Sequence, residues 1–128
     1  MKRILGAFVA LFSILVGGMI AAPTASAVSK GCGELSNGIL CNSGPVPNEG
    51  TYTTSYVRHG ARGEITVRLG FEIKIERTGQ LAQTTWIGYK KTKNGYAELS
   101  KWVMLSDEGC IRGIMEYNDT KYVTKWRC

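Results

Sequence analysis

Strict alternation of apolar and polar residues between positions 64 and 76 constrains the fold of this 128-residue chain more than any other feature. One set of alternate positions is apolar: Ile65, Val67, Leu69, Phe71, Ile73 and Ile75. The intervening set is Glu64, Thr66, Arg68, Gly70, Glu72, Lys74 and Glu76. Because successive side chains of a strand point to opposite faces, this pattern predicts a half-buried strand of an antiparallel sheet. Gly70 in the middle of the strand predicts a β-bulge or bend.

Five further segments have strand-like composition and are bounded by turn residues. They are Thr51–Arg58, Leu81–Lys91, Tyr96–Leu105, Cys110–Tyr117 and Lys121–Cys128. Asn94-Gly95 joins the second of these to the third and is a strong hairpin signal. We therefore expect Lys93 to pair with Tyr96. The same register places Lys91 opposite Glu98, which would bring opposite charges together.

The final two strands predict a disulfide bond. A three-residue loop at Asn118–Thr120 would pair Tyr117 with Lys121. If that register continues, Cys110 lies directly opposite Cys128, close enough for a disulfide after slight local adjustment. We therefore expect a Cys110–Cys128 bond that joins the end of the chain to the sheet.

Residues 28–50 have a different composition, rich in glycine, asparagine, serine and proline. The two prolines in this range argue against a central strand. We therefore expect an irregular loop at residues 28–50, followed by an antiparallel β domain at residues 51–128. By elimination, Cys32 pairs with Cys41 and closes the loop.

Residues 1–27 have the composition of a secretory signal peptide. A lysine and an arginine precede the uncharged run Ile4–Ala22, and the small residues Ala25-Ser26-Ala27 provide a cleavage site. We expect the mature chain to begin at Val28, to be secreted, and to have no transmembrane segment after cleavage. The alternative is a retained membrane anchor, because a spanning helix needs only about 20 apolar residues.

Removal of residues 1–27 leaves 101 residues, which is the size of one small domain. All four cysteines remain, and an even number in a small exported chain predicts two disulfides. No Cys-x-x-Cys pair is present and His59 is the only histidine, so we expect no metal site and no cofactor. The expected fold is all-β: a small antiparallel sandwich or partly open barrel of about six strands.

Without its leader the chain carries a formal charge of +4, because residues 1–27 hold two of the 16 basic residues and no acidic ones. In a meander, alternate turns lie at the same end of the sheet. The turns at Arg58–Gly63, Lys91–Gly95 and Asn118–Thr120 would then meet at one end, which we call the basic pole. Its candidate anion-binding residues are Arg58, His59, Arg62, Lys90, Lys91 and Lys93. The alternative is that these are solvated hairpin tips without a function.

His59 is the only histidine, the residue type that most often acts as a general acid or base near neutral pH. With Glu64 and Arg68 it could form the acid–base set of a secreted ribonuclease. A mixed-charge solvent face accounts for the same residues, and no nucleophile, metalloprotease or P-loop motif is present. Tyr122 and Trp126 are candidates for an exposed aromatic strip, because alternation would place them on one strand face.

These features favour a small secreted binding protein that acts on an extracellular macromolecule or anionic surface. It would be an inhibitor, an antimicrobial or a surface-binding factor, and nucleic acid is a less favoured partner. Two alternatives remain: a ribonuclease-like hydrolase that uses His59, and a structural protein of an envelope or matrix.

Overall fold

The computed structural model describes residues 29–60, 63–75 and 78–128, where the chain forms eight strands and no helix. The strands are β1 (Ser29–Leu35), β2 (Gly38–Gly44), β3 (Gly50–Arg58), β4 (Thr66–Ile75), β5 (Leu81–Lys91), β6 (Tyr96–Val103), β7 (Gly109–Tyr117) and β8 (Thr120–Val123). They form two four-stranded antiparallel sheets, ordered β1-β2-β3-β6 and β5-β4-β7-β8. The predicted all-β fold with two disulfides is confirmed as a two-sheet sandwich. The predicted signal peptide at residues 1–27 lies outside the described residues.

β1 and β2 were not expected, and the prediction of an irregular loop for residues 28–50 is wrong over most of its length. The two strands form a hairpin with a two-residue turn, and β2 pairs in turn with β3. The glycines that suggested a loop allow close packing. A Cβ on Gly31 would lie 2.9 Å from the side chain of Arg127, and one on Gly33 would lie 2.8 Å from the carbonyl oxygen of Val123. β1 therefore needs small residues where it approaches the end of the chain.

Both predicted disulfide pairings are confirmed. Cys32 and Cys41 are directly opposite each other in the β1–β2 register, with their Cα atoms 4.0 Å apart. Cys110 and Cys128 are joined in the same way at the end of the chain, with their Cα atoms 4.2 Å apart. The bonds close loops in both halves of the chain, which lowers the conformational entropy of its unfolded state.

The tip of the last hairpin differs from the prediction. Tyr117 pairs with Thr120 around the two-residue turn Asn118-Asp119, whose φ angles are 54° and 61°. Such positive φ values fit the type I′ turn that suits the twist of a hairpin. The strands are therefore one residue out of the predicted register at the tip. The irregular residues 124–126 restore it before the Cys110–Cys128 bond.

The hairpin around Asn94-Gly95 divides between the two sheets. Lys93 pairs with Tyr96 as predicted, but beyond that point β5 pairs with β4 and β6 pairs with β3. Lys91 therefore lies opposite Thr66, and its predicted pairing with Glu98 is wrong. Ala97 and Val103 of β6 are buried in the core, and Ile87 of β5 packs against it from the other sheet. The separation of the two strands therefore lets each contribute to a different side of the core.

The alternating strand is β4, which lies between β5 and β7 in the interior of its sheet. The centre of its predicted apolar face is buried, since Val67, Leu69 and Phe71 are at most 2% exposed, while Ile65, Ile73 and Ile75 at its ends are half-buried. The predicted bulge at Gly70 coincides with a register shift against β5. A Cβ at this position would lie 2.2 Å from the carbonyl oxygen of Thr85, so the strands approach each other too closely for any side chain.

The core between the sheets consists of two apolar clusters with buried polar groups between the strands. One cluster contains Leu40, Tyr56, Val67, Leu69, Ala97 and Met115. The other contains Tyr52, Phe71, Val103, Leu105 and Ile111.

Asn42 and Thr54 are fully buried, and Asn42 donates to the Thr54 hydroxyl at 3.0 Å. Thr54 donates to the carbonyl oxygen of Gly70 at 2.8 Å, and Arg127 donates to Asn42 Oδ1 at 2.5 Å. These hydrogen bonds link both sheets and offset the desolvation of buried polar groups.

Candidate anion-binding site

The structure brings several turns together at the end where the basic pole was predicted. The backbone N–H of Arg58 donates to the carbonyl oxygen of Gly95 at 2.8 Å. The Arg58 guanidinium donates to the carbonyl oxygen of Gly63 at 2.5 Å. The backbone N–H of His59 donates to the carbonyl oxygen of Asn37 at 2.8 Å, which connects the β1–β2 turn to the same loop. Arg58 thus connects the loop after β3 to the β5–β6 turn.

The cations of the basic pole are loosely arranged. His59, Lys90, Lys91 and Lys93 are exposed, while Arg58 is half-buried. Arg62 lies outside the described residues. Glu64 lines the same surface cleft as Arg58 and introduces a carboxylate among the cations. The basic pole is therefore less uniformly positive than the sequence suggested.

The three residues of the ribonuclease hypothesis belong to different surroundings. His59 and Glu64 are exposed on the loop between β3 and β4. Arg68 lies within β4, where its guanidinium contacts Glu116 of β7 at 3.4 Å. Among the described residues, no hydrogen bond or ion pair joins two members of this set. The structure does not assemble them into an acid–base pair.

A denser group of cations lies on the outer face of the β5-β4-β7-β8 sheet, the face turned away from the other sheet. Strand register places Arg68 beside Glu116 and Glu72 beside Arg112. Lys121 of β8 lies opposite Glu116. We call this surface the cationic face and define it by its cations and rings: Arg68, Lys74, Arg112, Lys121, Trp86, Tyr89 and Trp126.

The buried carboxylate of Glu72 binds two of these cations, Arg112 and Lys121. Its carboxylate accepts hydrogen bonds from Arg112 Nε at 2.9 Å and from Lys121 Nζ at 2.6 Å. The side chain is only 1% exposed, so the solvent-exposed position that alternation suggested is wrong. Burial alone would raise the pKa of Glu72, but the hydrogen bonds from Lys121 and Arg112 outweigh it, and the pKa lies below its ordinary value. Glu72 is therefore ionised near neutral pH and fixes both cations.

Aromatic rings also contact cations of the face, including Arg112. The Arg68 guanidinium carbon lies 4.5 Å from the centre of the Trp86 ring. Lys74 Nζ and the Arg112 guanidinium carbon lie 4.5 Å and 4.4 Å from the ring centre of Trp126. Each such cation–π contact contributes about 0.5–1 kcal/mol at an exposed site. Long side chains that would otherwise sample many rotamers are thus restrained in fixed positions.

The cationic face continues into the basic pole. Tyr89 is 68% exposed and its ring centre lies 5.5 Å from the Arg68 guanidinium carbon. Lys91 follows two residues later on the same face, opposite Thr66. The path along β4 from Thr66 to Lys74 covers about 26 Å, at roughly 3.3 Å per residue. Positive groups therefore line much of the length of the sheet.

The sequence missed part of this site because of one local irregularity. Tyr122 and Trp126 were expected on the same face. Instead, Tyr122 lies opposite Met115 and packs against the core, while Trp126 contacts the cations Lys74 and Arg112 outside it. The one-residue shift at positions 124–126 separates the two rings.

Within residues 29–60, 63–75 and 78–128, no helix is long and apolar enough to cross a lipid bilayer. The same ranges contain no group of three or more His, Cys, Asp or Glu side chains placed to bind a metal ion. Comparison with known proteins finds no matching family model, no matching curated protein and no matching solved structure. The function must therefore be inferred from the geometry and chemistry of the site.

Proposed function

We propose that the chain is a secreted binding protein without catalytic activity, and that it recognises a negatively charged extracellular macromolecule or surface. The observation that carries this proposal is the fixed arrangement of cations on the cationic face. Buried Glu72 and the aromatic rings restrain these cations before any partner is bound. Preorganised groups lose less conformational entropy on binding, so they favour recognition over non-specific attraction.

The balance of charge supports an anionic partner. Among the described residues, Glu72 and Glu116 form ion pairs with cations of this face; Glu72 is buried, and Glu116 reaches solvent. A surface on which cations outnumber accessible carboxylates raises the local concentration of polyanions. Exposed rings such as Tyr89 add flat apolar area for contact with the non-ionic parts of such a partner.

Two disulfides suggest an oxidising, extracellular environment. The signal-peptide composition of residues 1–27 supports secretion. Outside the cell, acidic polysaccharides and anionic lipid surfaces present the matching charge. An inhibitor, an antimicrobial or a surface-binding factor could each act through such contacts.

Binding to heparin, used as a polyanionic probe, tests the proposal. The variant Lys74→Glu/Lys91→Glu reverses two charges on the track formed by the cationic face and basic pole. Its matched control, Lys30→Glu/Lys101→Glu, makes the same change of net charge at exposed positions of the other sheet. We expect the first variant to bind at least about tenfold more weakly, because each cation near an anionic surface contributes about 1 kcal/mol.

We expect the control variant to stay within about twofold of the wild type once salt screens distant charges. Anionic vesicles replace heparin in a second arm, which separates a polymer from a lipid surface as the partner. Equal weakening of both variants would reduce the effect to net charge and refute the proposed site. Absence of wild-type binding to either probe would refute the proposed function.

A further inference from the structure

The two sheets leave a gap between them at the basic pole. A pocket of about 50 Å³ opens there, beside Arg58 and the β1–β2 turn. Three tyrosines line it, Tyr56 from β3, Tyr117 from β7 and Tyr122 from β8, and we call it the tyrosine pocket. It lies on the inner side of the sheets, so it is distinct from the cationic face.

The floor of the tyrosine pocket is buried and apolar. Tyr56 and Met115 are 4% and 2% exposed and belong to one of the two core clusters. The Tyr56 ring packs closely on the backbone of Gly38, where a Cβ would lie 2.8 Å from a ring carbon. A pocket with such walls keeps its shape without a ligand, as ligand sites commonly do.

The mouth of the tyrosine pocket is rich in hydrogen-bond donors. Arg58 lies at this opening, and the hydrogen bond from its guanidinium to the carbonyl oxygen of Gly63 restrains it. Tyr117 and Tyr122 each carry a hydroxyl that can donate to an anion, whereas the Tyr56 hydroxyl donates to the carbonyl oxygen of Asn37 at 3.4 Å. Burial raises the pKa of Tyr56, nearby Arg58 opposes this effect, and Tyr122 and Tyr117 add to it. All four residues line the pocket. Among the described residues, no carboxylate lines the pocket.

The size of the tyrosine pocket limits what it can bind. Its 50 Å³ is well below the ~150 Å³ of an enclosed protein cavity that accommodates benzene, which favours a small ligand. In a carboxylate with one or two attached carbons, only those carbons need to enter the pocket, because the charged end can remain at the open mouth. The apolar floor matches those carbons, and the donors at the mouth match the charge.

We propose that the tyrosine pocket binds the carboxylate of a small aliphatic acid. Arg58 pairs with the negative charge, Tyr117 and Tyr122 donate hydrogen bonds, and Met115 contacts the aliphatic carbons. The carboxylate belongs either to a free short-chain acid or to an acidic side chain of a protein partner. The site is independent of the cationic face, so either proposal can fail without the other.

Titration of the isotope-labelled, disulfide-bonded protein with propionate, followed by amide NMR shifts, tests this inference. We expect saturable shifts at Asn37, Arg58 and Tyr117, with a dissociation constant of about 1–10 mM for so small a ligand. Propionamide has the same shape without the charge and should bind at least about tenfold more weakly, because charged hydrogen bonds are the stronger ones. Equal binding of both compounds, or no saturable shift, would overturn the proposal.

Two variants and a control locate the binding energy. Arg58→Gln should weaken propionate binding by about tenfold or more, and Tyr122→Phe by several-fold, because it removes one donor without changing the ring. Lys93→Gln removes a cation from the same end of the protein but outside the pocket, and should leave binding unchanged. If Lys93→Gln weakens binding as much as Arg58→Gln, general charge explains the effect and the pocket assignment is wrong.

A capped glutamate peptide distinguishes the two sources of the carboxylate. Tighter binding of the peptide than of propionate, with shifts at the same amides, assigns the pocket to an acidic side chain. Saturable binding of propionate alone assigns it to a free acid. Failure of both ligands to shift these amides rules out a carboxylate site.

Discussion

At the scale of single residues, Glu72 lies below the surface while both of its cationic partners reach solvent. A buried carboxylate without partners would be strongly unfavourable, and here Arg112 and Lys121 compensate its charge. The same contacts fix the two cations for a ligand. One buried group therefore stabilises the sheet and shapes the candidate site.

The acid stability of the protein tests this role of Glu72. The pKa of Glu72 is lower in the folded state than in the unfolded chain. Its contribution to the free energy of unfolding is therefore complete above the ordinary glutamate pKa of about 4.3, and it is lost as the pH falls through the lower pKa of the folded state. Glu72→Gln should therefore lower the free energy of unfolding by about 1–3 kcal/mol at pH 7, and this difference should disappear in strong acid. Urea denaturation of both proteins between neutral pH and strong acid measures the effect.

Glu116→Gln is the matched control for this measurement. Glu116 pairs with Arg68 at 3.4 Å, but both side chains are about one-third exposed. Exposed ion pairs contribute little, so we expect a change below about 1 kcal/mol with a weaker dependence on pH. Equal losses of stability in the two variants, with the same pH profile, would contradict this role of Glu72.

At the scale of elements, β4 could be predicted in detail because a central strand with one buried face leaves a clear alternation in sequence. The sequence placed Glu72 on the correct face of β4 but predicted that it would be exposed. It is buried because Arg112 of β7 and Lys121 of β8 pack over its carboxylate. The partners of β5 and β6 could not be predicted, since a hairpin signal specifies the tip and not the sheet that each strand joins.

The register of the C-terminal hairpin was predicted correctly at the disulfide and incorrectly at the turn. Residues 124–126 contain an irregularity that composition does not reveal. For the same reason the contact of Trp126 with Lys74 was missed. A disulfide pairing can thus be deduced from a register that holds at only one end of a hairpin.

β1 was not predicted because glycines are typical of loops, whereas here they allow the strand to pack closely against the end of the chain. Gly33→Val should lower the free energy of unfolding by about 1–3 kcal/mol, because its Cβ would meet the Val123 carbonyl oxygen at 2.8 Å. Gly63→Ala is the control, since a Cβ there has nothing within 4 Å. Urea denaturation compares the two. Equal effects would mean that β1 does not approach β8 as described.

At the scale of the whole molecule, the two sheets present different outer surfaces. The β1-β2-β3-β6 sheet carries short polar groups such as Thr53 and Ser100, whose hydroxyl oxygens lie 2.7 Å apart. The other sheet carries the cationic face. This asymmetry gives the sandwich one side suited to a polyanion, and the exposed lysines of the basic pole extend that side at one end.

Substitution of His59 tests whether the protein is a ribonuclease rather than a binding protein. His59 is exposed on the loop after β3, so His59→Ala should leave the free energy of unfolding within about 0.5 kcal/mol. An RNA-cleavage assay of purified wild type, His59→Ala and Glu64→Gln provides the second readout, and we expect no cleavage by any of them. Wild-type cleavage that both substitutions abolish would replace the binding function with a ribonuclease.

The most direct test of the cationic face uses the three tryptophans as internal reporters. Trp86 and Trp126 contact its cations, whereas Trp102 is 54% exposed on the other sheet. Titration of the isotope-labelled protein with a heparin oligosaccharide, at about 0.15 M salt to screen distant charges, reports on all three indole N–H signals at once. The account predicts saturable shifts of the Trp86 and Trp126 signals with Trp102 unchanged. A shift of Trp102 without shifts of the other two would contradict it.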